Sequence, residues 1–95
     1  MWPSGADRDQ VEAQARAIYM ARDLINTPAN DLGPAEIDAA IRDVAKQFSA
    51  SVTSIIGDDL LTQNFPMVHA VGRASSRAPR LVDLRWGNPS HPKVT

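Results

Sequence analysis

Six apolar residues set the strongest constraint on this chain. Ile37, Ala40, Ile41, Val44, Ala45 and Phe48 fall at i, i+3, i+4, i+7, i+8 and i+11, the spacing that lines one face of an α-helix. The residues just before them carry start signals. Gly33 can serve as N-cap, Pro34 fits the first helical position, where its missing N–H costs nothing, and Glu36 takes the third. Asp38, Arg42, Asp43, Lys46 and Gln47 are assigned to the wet side. A helix with such a stripe has to bury it against something, so the rest of the chain must supply a partner surface. The stripe itself reads as packing and not as a binding site.

The partner surface is expected from two short strands. Ser51 to Ile56 is rich in β-branched residues and is closed by Gly57. Leu81 to Trp86 alternates, with Val82, Leu84 and Trp86 on one face and Leu81, Asp83 and Arg85 on the other. Between them, Gly57-Asp58 opens a short helix through Leu60, Leu61 and Gln63. Phe65-Pro66 opens another, through Met67, Val68 and Val71 to about Ala74, and Ser75 to Pro79 is a polar loop. Gly87 to Pro92 is a turn, and Lys93-Val94-Thr95 reads as the start of a third strand.

Ahead of all this, a long helix is expected from about Arg8 to Asn26. Asp7 is its N-cap and Gln10 stands in capping-box spacing. Val11, Ala15, Ile18, Ala21 and Ile25 form its apolar stripe, widened by Tyr19, Met20 and Leu24. Thr27-Pro28 stops it, because a residue before proline disfavours the helical region. The predicted order is therefore helix, helix, strand, helix, helix, strand, strand start. That is an α/β pattern, read as a fragment of a larger mixed sheet flanked by helices. Two complete strands are marginal alone, so the chain is expected to be the edge of a bigger sheet or a unit that associates.

Bulk composition narrows the function classes. The 95 residues include no cysteine, which excludes disulfides and thiolate metal sites. No apolar run approaches the ~20 residues of a membrane helix. The start, M-W-P-S-G-A-D-R-D-Q, lacks the basic and apolar regions of a signal peptide. A cytoplasmic protein without membrane attachment is the expectation. Charge is uneven: residues 1–69 carry ten acids and five bases, whereas residues 70–95 carry Arg73, Arg77, Arg80, Arg85 and Lys93 against Asp83 alone. That basic end could contact phosphates, but it has no interleaved aromatics and no nucleic-acid motif.

The search for chemistry ends without a constellation. His69 lies beside Val68 and Val71 and reads as the polar tip of a packed helix; His91, between Ser90 and Pro92, reads as solvent-exposed. Asp58-Asp59 is the adjacent carboxylate pair, placed at a helix start where the backbone dipole favours negative charge. Ser75-Ser76 lacks the G-x-S-x-G setting of a nucleophile, and there is no H-E-x-x-H, calcium-loop or P-loop pattern. No residue is assigned as catalytic, cofactor-binding or metal-ligating.

Three segments carry a resemblance instead. L-I-N-T-P-A-N-D-L-G-P (Leu24 to Pro34), P-M-V-H-A-V-G-R-A-S (Pro66 to Ser75) and A-P-R-L-V-D-L-R-W (Ala78 to Trp86) occur in order and at suitable spacing. Together they resemble the leucyl aminopeptidases, or cytosol aminopeptidases, from about Val11 to Thr95. The resemblance implies a small N-terminal α/β domain joined by a long helix to a larger catalytic α/β domain. Residues 1–6 would be a flexible N-terminus, 7–27 the connecting helix, and 28–95 the first part of the catalytic domain, truncated before the metal-binding motifs.

The resemblance also implies hydrolysis of N-terminal peptide bonds by two divalent ions, zinc, manganese or magnesium. They are held by a lysine, several aspartates and a glutamate that all follow the position of Thr95. Lys93 precedes the metal-binding lysine and is not its counterpart. The chain by itself is thus expected to be inactive scaffold with no cofactor. Its expected partner is a second copy or the rest of the parent enzyme, with peptide a substrate of the full-length protein only. Two alternatives stand beside this: a stand-alone protein-interaction module, and a weak nucleic-acid binder using the basic C-terminal end.

Overall fold

The computed structural model describes residues 2–95, which divide into two compact units, one up to Leu32 and one from Gly33 to Thr95. The first is built on helix α1, Arg8–Asn26. Its start follows the sequence signal: an Asp7 carboxylate oxygen accepts from the amides of Asp9 at 3.0 Å and Gln10 at 3.3 Å, satisfying two donors that the helix itself leaves unpaired. At the other end Thr27 turns extended. Its amide and its hydroxyl both donate to the Asp23 carbonyl, at 3.0 and 2.6 Å. Pro28 then organises a turn in which its carbonyl accepts from the amides of Asp31 and Leu32. No residue of α1 is buried, and Ile25, the last residue of the expected stripe, is 80% exposed.

In the second unit, helix α2 covers Pro34–Phe48. The Gly33 amide donates to Glu36 Oε2 at 2.9 Å, so the residue three places in caps the helix start. The helix ends where Ser49 enters the left-handed region, at φ 54°, and the Ala50 amide closes back on the Ala45 carbonyl at 2.8 Å. Strand β1, Ser51–Ile56, follows at once. Gly57, at φ 58°, takes a turn that a side chain would resist and leads into α3, Asp59–Thr62, and then α4, Pro66–Gly72. Strand β2, Arg80–Arg85, returns antiparallel to β1, with Ser51 opposite Arg85 and Ile56 opposite Arg80.

The register decides what each face carries. Val52 with Leu84, Ser54 with Val82, and Ile56 with Arg80 share one face; Ser51, Thr53, Ile55, Leu81, Asp83 and Arg85 share the other. Helix α2 packs on the first of these, and α3 on β1. Leu60 of α3 is wholly buried and Ala45 of α2 nearly so. They are the fully buried apolar side chains among the described residues.

The mixed α/β order is as expected through the second strand, and β1 has the expected limits. Three details differ. Strand β2 begins at Arg80 and stops at Arg85, so Trp86 lies just beyond it. There the indole N–H donates to the Phe48 carbonyl at 3.1 Å instead of joining the strand ladder. Helix α4 ends at Gly72, two residues short, and tight turns follow through Ser75, whose amide donates to the Gly72 carbonyl. Residues 93–95 form no strand; Val94 is 97% exposed, and no third strand joins the two-stranded sheet among the described residues.

Candidate functional site

The densest polar cluster centres on Asp38, a residue that the helical pattern assigned to solvent. It is only 2% exposed. Its spacing explains why: Asp38, Ile41 and Ala45 stand at i, i+3 and i+7, on the flank of α2 whose Ala45 is buried. A charge in that position requires partners. Arg80 of β2 supplies the first, Nη1 donating to Oδ2 at 2.7 Å. The other oxygen accepts from Arg42 Nε, one turn along α2, and from Ser54 Oγ of β1, each at 2.9 Å. Arg42 Nη2 in turn donates to the Ser54 hydroxyl at 2.7 Å.

These bonds tie α2, β1 and β2 at one point. The hydrogen bond from Arg80 lowers the Asp38 pKa, against the opposing effect of burial, and Ser54 and Arg42 lower it further. The result is a carboxylate that stays ionised and has both oxygens occupied. With three donors on it and almost no exposure, the arrangement suits a structural tie and not acid–base chemistry.

Glu36 is the second perturbed acid. Its own amide and then the Gly33 amide hold its pKa below the ordinary value, with Arg77 and Arg80 adding favourable charge. That is the electrostatics of a helix start.

The carboxylates and imidazoles singled out in the sequence fall elsewhere. Asp58 is the N-cap residue of α3 and Asp59 its first residue, although the Asp58 side chain caps no amide. Instead Asp58 Oδ1 lies 3.1 Å from His69 Nε2 of α4. The His69 side chain is 19% exposed, in keeping with a polar tip on a packed helix, while Asp58 is almost fully in solvent. His91 is exposed in the final turn. Among the described residues, no three His, Cys, Asp or Glu side chains gather in a way that could hold a metal ion.

The residues present therefore do not fit a pair of divalent ions. Asp38 is buried and held by three donors, and Asp58 with His69 offers two ligands at most, where a catalytic metal takes at least three from the protein. The basic end is also engaged: Arg80 is tied to Asp38 and Arg85 to Asp83 at 2.8 Å. Arg77 has interactions of its own as well.

Geometry thus defines a class: a helix-backed two-stranded antiparallel unit of an α/β protein, organised by a buried ionic tie. The sequence matches the cytosol aminopeptidase family, catalytic domain, over residues 19–95. The chain belongs to that family. It is 36% identical over 92 residues to Peptidase B of Yersinia pestis (strain Pestoides F), covering 90% of this chain and 21% of that protein. It is 35% identical over 99 residues to Peptidase B of Photorhabdus laumondii, covering 96% of this chain and 23% of the relative.

Among solved structures, the cytosol aminopeptidase of Coxiella burnetii is similar with a TM-score of 0.85 at 50% identity, over 90% of this chain and 18% of that one. The leucyl aminopeptidase of Trypanosoma cruzi is similar with a TM-score of 0.62 at 31% identity, over 64% of this chain and 12% of that one. The chain spans about a fifth of the length of the curated relatives it matches. No helix among the described residues is long and apolar enough to cross a membrane.

Proposed function

We propose that the protein carrying these residues removes N-terminal amino acids from peptides with two divalent metal ions, and that this segment contributes scaffold to its catalytic domain. The observation that carries the proposal is the family match over residues 19–95, together with 50% identity to a cytosol aminopeptidase of the same fold. The ions, zinc, manganese or magnesium, would supply an activated water and a seat for the free amine. The described side chains of this segment serve as scaffold in this reading: the buried carboxylate is engaged by three donors, and no three acids or histidines converge on a metal site among the described residues.

Cytoplasmic location and assembly into an oligomer belong to the same reading, as does partnership with a second copy or with the rest of the polypeptide. The division into a connecting helix over residues 7–27 and a catalytic-domain start over 28–95 is also part of it. A stand-alone interaction module or a nucleic-acid binder is not favoured: the family match accounts for most of the chain, and Arg80 and Arg85 are already ion-paired.

The test is hydrolysis of a leucyl amide by the complete gene product that contains these residues. Release of leucine that stops with a chelator and returns with added Mn²⁺ is expected. A complete product that releases none under any of the three metals would overturn the proposal.

A further inference from the structure

We draw no further inference here: the strongest candidate, the apolar groove between the C-terminal turn of α2 and the end of β2, lined by Val44, Ala45, Phe48, Ala50, Leu84 and Trp86, is an unpartnered apolar face, and nothing in the structure shows what covers it.

Discussion

Asp38 and Arg80, forty-two residues apart in sequence, meet at 2.7 Å and join helix α2 to strand β2. The carboxylate is buried and the Arg80 side chain is 24% exposed. Removing one partner of such a pair leaves a charge without compensation, which costs more than the intact pair contributes.

Asp38→Ala is therefore expected to destabilise the fold by about 3 kcal/mol, the range for breaking a buried ion pair. Asp38→Ala combined with Arg80→Met is expected to recover part of that loss, since both charges are then gone. Urea unfolding of the two variants checks this. Equal stability of the single variant and the parent chain would show that the tie is dispensable.

Acid should loosen the same contact. Asp38 has a folded-state pKa below its ordinary value of 3.8, so its stabilisation is fully present above that value and is lost as pH falls through the folded pKa. Glu36 acts in the same direction from its ordinary value of 4.5. Stability is expected to be flat with respect to these two groups from neutral pH down to about pH 5 and to fall below that, the window that such carboxylate shifts set. Chemical denaturation at several pH values measures it, and Asp38→Asn should flatten the acid limb.

Leu60 is the one large side chain wholly buried among the described residues, held in the short helix that follows β1. Truncation there removes contacts that nothing else replaces. Leu60→Ala is expected to cost about 2–5 kcal/mol, as for other buried leucines, whereas Leu61→Ala, at a half-exposed neighbour, should cost far less. Thermal unfolding of the two variants side by side reads the difference.

Gly72 ends α4 against Pro79, just before β2. A Cβ at this position would collide with the proline Cβ and come within 2.9 Å of its Cγ and 3.3 Å of its Cα. Proline is rigid and part of the contact is backbone, so the loop and not a flexible side chain has to move. Gly72→Ala is expected to destabilise by about 1–3 kcal/mol, the range for overpacking. A neutral or stabilising result in denaturant titration would contradict the close approach.

Most of the architecture was legible because it depends on local rules. The start of α1 at Asp7, its stop at Thr27-Pro28, the Gly33-Pro34 opening of α2 and the β-branched run of β1 each act within a few residues. Asp38 was not legible as a buried group from its residue type, because its partners Ser54 and Arg80 are brought near by tertiary structure. Its i, i+7 spacing to Ala45 was the available signal. The second strand, expected to run to Trp86, stops one residue earlier for a related reason: the Trp86 indole N–H finds the Phe48 carbonyl at the end of α2. The third strand expected at Lys93 had only three residues to support it, and no strand partner meets it.

Release of leucine from a leucyl amide by the purified 95-residue chain, with Mn²⁺ or Zn²⁺ added, tests the central claim most directly. As scaffold of the proposed aminopeptidase, this segment is expected to give no release above the metal-only blank. Sustained, chelator-sensitive release by the chain alone would contradict it.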